Sequence, residues 1–124
     1  MSTVEARVRA YRSTHSGVEH WKMQRLTAIS NVLLVVWFLF SAVGMAGAGY
    51  LGWRLFFRSP WNAGLMVALV VSTFWHARLG VQVIIEDYVH GEGAKAASLA
   101  ALTIVLAVLA ITCTVSILMV AIGV

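Results

Sequence analysis

The stretch NAGLMVALVVSTFWHARLGVQVIIEDYVH, residues 62–90, decides how this chain is read. Residues 62–85 are long and apolar enough to cross a bilayer, which takes about 20 such residues in a helix. Yet His76 and Arg78 sit inside that run, and Glu86, Asp87 and Tyr88 close it where the hydrophobicity stops. Ionisable groups inside a span face protein or water rather than lipid, and they mark functional positions.

The rest of the chain agrees with a membrane reading. Of its 124 residues 60% are hydrophobic and 11% charged, with a mean hydropathy of +0.86. An ordinary soluble domain carries about 25% charged residues. Two further windows can span, residues 27–50 and 96–123, so the expectation is an all-α membrane protein of three transmembrane helices in one domain, 1–124. Residues 51–61, LGWRLFFRSPW, read as a loop whose Pro60 starts the second span. Tyr50, Trp53, Phe56, Phe57 and Trp61 crowd that region as an interfacial aromatic belt. Residues 86–95 read as the second loop, with Gly91 and Gly93 breaking the helix.

Basic residues set the direction. Arg7, Arg9, Arg12, Lys22, Arg25 and Lys95 fall on one side, against Arg54 and Arg58 on the other. The excess of Lys and Arg places the N-terminus and the 86–95 loop inside and the C-terminus outside. The first 26 residues, an inner-side segment, lack the apolar stretch of a signal peptide, and Glu5 and Glu19 weigh against a transit peptide. The net charge of +4 belongs to this membrane-flanking pattern and not to a nucleic-acid surface. No GxxxxGK[ST] or GxGxxG segment offers a phosphate cradle. The single cysteine, Cys113, has no thiol partner for a disulfide or a metal site and reads as a small packing residue.

Span two is polar on two faces. A helix advances about 100° and about 1.5 Å per residue, so His76 and Asp87 share a face roughly 16 Å apart along the axis. Ser72, Thr73, Gly80 and Val83 lie near that stripe, and Gly80 leaves room for close approach. Arg78, Gln82 and Glu86 form a second stripe, with an i,i+4 ladder available to them. Neither face can turn to lipid. In so short a chain, partner subunits are expected to cover them.

His76 lies near mid-bilayer. Imidazole is a common axial haem ligand, and a core histidine bonded to a neighbour is the bland alternative. His15 and His20 precede span one and His90 follows span two, so a bis-histidine haem would take its second ligand from another chain.

Residues 76–90, HARLGVQVIIEDYVH, resemble the H-x-x-x-G-x-x-Q/V-x-x-x-D-Y segment of the bacterial-type hydrophobic membrane anchor of succinate dehydrogenase, respiratory complex II. Residues 17–30, GVEHWKMQRLTAIS, are similar to the same family's G-x-x-x-x-x-x-x-R-x-T-A-I segment. The motifs cover some thirty residues, and the His-to-Asp-Tyr spacing is their specific part. The resemblance implies a bacterial inner-membrane, multi-pass subunit. Its partners would be a second three-helix anchor subunit of the cytochrome b type, a flavoprotein subunit with FAD and an iron–sulfur subunit. It also implies a haem b shared between the two anchor subunits and ubiquinone bound near the inner surface.

Carried over by position, His76 is the haem-iron ligand. Tyr88 is the quinone-contacting tyrosine and Asp87 its acidic neighbour. Arg25 serves the haem propionates or the quinone pocket, and His20 belongs to the same entry motif. Quinone reduction builds charge on the carbonyl oxygens, where an aimed Tyr88 hydroxyl is a stabilising donor. Asp87 at the water boundary orients Tyr88 or Arg25, in preference to acting as an acid.

Without the resemblance, Arg25 reads as an inner-side anchor snorkelling to phosphates. Glu86 and Glu92 read as solvated charges, Trp75 as packing, and Ser30 and Asn31 as helix–helix hydrogen-bonding groups. Span three holds no ionisable side chain and reads as packing. A small transporter or channel subunit with a His76/Arg78 polar path is the competing class, and a purely structural anchor a third. Fumarate reductase is a neighbour of the leading reading.

Overall fold

The computed structural model describes residues 2–124 and is all-helical across them. Four helices follow in order: α1 (Ser2–Gly44), α2 (Gly49–Arg58), α3 (Pro60–Tyr88) and α4 (Glu92–Ile122). Three of them, α1, α3 and α4, are long and apolar enough to cross a membrane. α3 contains the expected span 62–85, whereas α1 stops at Gly44, six residues short of the expected end at 50, and α4 stops at Ile122, one short of 123.

The boundaries differ from the sequence reading in instructive ways. α1 begins long before residue 27, and its 43 residues make a rod of about 65 Å, twice the roughly 30 Å hydrocarbon core. Helical hydrogen bonding continues across a change of polarity because the backbone does not register which solvent its side chains face. Residues 51–61 are a helix for most of their length and not a loop. Arg54 and Arg58, four apart, share one face of α2, while Trp53, Phe56 and Phe57 form a ring cluster with Trp37 of α1. The expected aromatic belt is therefore partly a packed cluster, with Tyr50 and Trp61 remaining exposed. Gly93 lies within the first turn of α4, so residues 89–91 alone separate α3 from α4.

Local chemistry explains each joint. α1 ends in a turn through Gly47, whose φ of 83° suits a residue without a Cβ. A single non-helical residue, Ser59, separates α2 from α3. It is extended (φ −69°, ψ 123°), as expected before a proline, and Pro60 opens α3. Asn62 Nδ2 donates to the Phe56 carbonyl (3.0 Å), occupying an acceptor that the end of α2 leaves free. At the far end Gly123 is left-handed (φ 92°), and both its N–H and that of Val124 return to the Met119 carbonyl. Arg54 of α2 donates to the Gly123 carbonyl, setting a cation against the negative end of the α4 dipole.

α3 is the centre of the arrangement. It packs against α1 on one side and α4 on the other. Among the described residues, no Cα of α1 comes within 8 Å of one in α4. The three spans form a row and not a closed bundle, and among the described residues only Thr27, Ala63 and Leu79 are buried.

Candidate functional site: two polar seams on the central helix

The row gives each polar stripe of α3 its own neighbour. The His76 stripe meets α1. His76 Nδ1 lies 2.9 Å from the Thr27 hydroxyl, and Thr73 Oγ1 makes a long contact with Asn31 Oδ1 at 3.5 Å. A Cβ at Gly80 would meet Gln24 Nε2 at 3.7 Å, an ordinary contact distance, so Gly80 faces α1 but the packing there does not depend on its missing side chain. On α1 the matching groups are His20, Gln24, Thr27 and Asn31, spaced four, three and four residues apart, which keeps them on one helical face. Antiparallel packing pairs them in turn with the stripe on α3. His20 Nε2, Gln24 Oε1 and Ser72 Oγ are sealed from solvent without partners among the described residues.

The Arg78 stripe meets α4. Arg78 Nε donates to Thr103 Oγ1 (3.1 Å), and its Nη1 donates to Gln82 Oε1 (3.3 Å). Gln82 Nε2 then donates to Glu86 Oε1 (2.7 Å). The i,i+4 ladder read from spacing therefore forms, and Thr103 is the anchor that spacing did not reveal. Above Arg78 the two helices leave an apolar cleft of about 170 Å³ beside Phe74, Trp75 and Leu106.

The chain's own α1 and α4 each engage one polar stripe of α3, while Thr73, Glu86 and Asp87 stay exposed, which leaves part of both stripes uncovered by the chain itself. The same geometry puts His76 and Arg78 against different neighbours. The two do not line one polar path.

The remaining site residues stand apart. Asp87 and Tyr88 end α3 in the open, Tyr88 being 77% exposed, and neither side chain makes a hydrogen bond among the described residues. Among the described residues Asp87 thus makes no side-chain hydrogen bond to Tyr88 and no ion pair with Arg25. Arg25 is about 200° around α1 from Thr27, on the face away from α3. Its guanidinium lies over the Trp21 ring at 5.0 Å, at the head of an open groove with Ile29 and Val32. His20 is half-buried on the α1–α3 seam, one turn beyond Gln24. Thr27 and Gln24 were missed because each alone is an ordinary polar residue. The four-three-four spacing that unites them with His20 and Asn31 is the signal that finds them.

His76 is a ring with one occupied and one free nitrogen. Nδ1 is engaged by Thr27, whereas Nε2 has no hydrogen-bond partner among the described residues and is not among the enclosed atoms. No cluster of three or more His, Cys, Asp or Glu exists among the described residues, so His76 is a solitary donor. A lone imidazole steadied through its second nitrogen suits a metal already held in a macrocycle, which needs one axial ligand per side.

Residues 3–120 match the family described as the succinate dehydrogenase/fumarate reductase transmembrane subunit. The chain belongs to this family. The succinate dehydrogenase hydrophobic membrane anchor subunit of Rickettsia bellii is 37% identical over 79 residues, covering 62% of this chain and 62% of its own length. That of Rickettsia conorii is 34% identical over 80 residues, again 62% of each chain. The succinate dehydrogenase membrane anchor subunit of Reclinomonas americana is 34% identical over 94 residues, covering 69% of this chain and 74% of its own. The chain thus spans a little under two thirds of these two Rickettsia relatives. No solved structure shows a significant match. Membership in this transmembrane family agrees with the three apolar helices of a multi-pass membrane protein.

Proposed function

We propose that this chain is the hydrophobic anchor subunit of a bacterial inner-membrane succinate:quinone oxidoreductase, with its N-terminus inside and its C-terminus outside. One observation carries the reading: α3 leaves two functional groups open on a single rigid element. The free Nε2 of His76 lies within the span, and Tyr88 lies at its inner end, twelve residues or about 18 Å away along the axis. A ligand-bearing histidine and a hydroxyl donor at that separation suit a haem within the membrane and a ubiquinone at its surface.

His76 Nε2 would hold the haem b iron, and a second anchor subunit of the cytochrome b type would complete the site. When bound, the haem supplies a one-electron redox centre. Succinate oxidation belongs to the flavoprotein subunit with its FAD, and the iron–sulfur subunit passes the electrons to the quinone. The uncovered ends of α3 and α4 near residues 86–95 are where that soluble pair would dock. Tyr88 would donate its hydroxyl proton in a hydrogen bond to a quinone carbonyl, whose oxygen gains charge on reduction. Asp87 would meet its partner only once the pocket is completed by other subunits. Arg25 faces away from α3, and this position favours contact with a neighbouring subunit, a haem propionate or a lipid phosphate over contact with His76.

The experiment is Tyr88→Phe in the assembled complex. Because the hydroxyl bonds nothing among the described residues, assembly and succinate oxidation by an artificial dye acceptor are expected to stay unchanged. Loss of a hydrogen bond to a charged acceptor is worth about 1.5–3 kcal/mol, so succinate-driven ubiquinone reduction should fall roughly 10- to 150-fold. Quinone reduction within twofold of the unaltered complex overturns the assignment.

A further inference from the structure

The Thr27–His76 contact joins two residues 49 positions apart, and its donors and acceptors can be assigned. Thr27 is 7% exposed, and is the only buried polar side chain among the described residues. Its hydroxyl carries one proton. Two backbone carbonyls lie in reach, Met23 at 2.8 Å and Gln24 at 3.1 Å, as expected for a threonine that back-bonds along its own helix. If that proton goes to Met23, the Thr27 oxygen offers only lone pairs to the ring. The His76 nitrogen at 2.9 Å must then supply the hydrogen itself. That choice puts the ring proton on Nδ1 and leaves Nε2 with an open lone pair.

We propose that Thr27 is a positioning residue that fixes the ring plane and tautomer of His76, presenting Nε2 as a ready ligand for iron. The proposal rests on the reading of His76 as an axial haem ligand and names what holds it in place. A metal-bound histidine commonly donates its other N–H to an oxygen acceptor, which fixes ring orientation and strengthens the ligand as a donor. Here the acceptor is delivered by a different helix, so the ring's orientation depends on the α1–α3 packing. Gly80 lies on the same seam one turn along α3 from His76, facing Gln24 of α1. No other ionisable side chain of α1, α3 or α4 hydrogen-bonds to this ring among the described residues, which leaves Thr27 in sole control of Nδ1.

Two measurements test it. In the haem-free full chain, labelled with ring-¹⁵N histidine and reconstituted in phosphatidylcholine vesicles, the His76 signal is assigned by its loss in His76→Ala. The expected result is a proton on Nδ1 and a bare Nε2, retained in Thr27→Ser and lost in the near-isosteric Thr27→Val. A proton on Nε2 in the unaltered chain overturns the proposal. In the purified complex, Thr27→Val is expected to release haem about 10- to 100-fold faster. It should also raise the haem reduction potential, because a weaker donor stabilises the ferric state less, and Thr27→Ser should restore both. Haem retention and potential unchanged in Thr27→Val would overturn the positioning role while leaving the haem reading standing. A complex with no b-type absorption would remove the haem reading and this proposal together.

Discussion

Arg78 is held by polar contacts, yet the energies imply that the fold would be no worse without it. α3 has 29 residues and is about 43 Å long, which leaves about 6 Å beyond the hydrocarbon at each end if the helix is centred. Arg78 lies ten residues before the end of α3, and so about 8 or 9 Å inside the nearer boundary. A charged residue at the centre of a span costs about 2.5–3.5 kcal/mol on insertion scales, and somewhat less at this depth. Against that stand two hydrogen bonds, to Thr103 and Gln82, each worth about 0.6 kcal/mol and at most about 1.7 within a membrane. The balance makes Arg78→Met neutral or stabilising by up to about 2 kcal/mol. Thr103→Val has the opposite sign, because it keeps the charge and removes the acceptor of Nε, costing about 1–2 kcal/mol. The assay is reversible unfolding of the full chain in mixed micelles with rising dodecyl sulfate, followed by far-ultraviolet circular dichroism. A loss above about 2 kcal/mol in Arg78→Met, or no loss in Thr103→Val, refutes this account and gives Arg78 a stabilising partner outside the chain.

Two more changes probe the joints of the fold. Gly80→Ala should be neutral or slightly stabilising, since its Cβ meets Gln24 at ordinary contact distance. Gly80→Leu should push α1 from α3 at a cost of about 1–3 kcal/mol in the same titration. Arg54→Met removes the donor at the end of α4, worth about 1 kcal/mol. Hydrogen exchange over residues 119–124 should accelerate about fivefold while α1 is unaffected.

How much of the site was legible follows from the range of each signal. That His76, Asp87 and Tyr88 share one helix was legible because, within a helix, position along the chain is position in space. The Arg78–Gln82–Glu86 ladder was legible for the same reason. Thr27 and Thr103 were not, because each acquires its role from a residue on another helix. α2 was read as a loop because its aromatic residues matched an interfacial belt. The i,i+4 pair of Arg54 and Arg58, with apolar residues between them, was the available hint of a short helix.

The sequence alone determined the membrane class, the three spans, the proline that opens α3 and the two polar faces of that helix. These depend on local hydropathy and on the fixed pitch of a helix, which need no neighbours. Tertiary structure decided which neighbour each face would meet, α1 for His76 and α4 for Arg78, and therefore which hydroxyl would steady which side chain. The order of helices in a row is set by packing between surfaces of similar hydrophobicity, which composition does not distinguish. A few directional hydrogen bonds, fixed only when the helices meet, then specify the site.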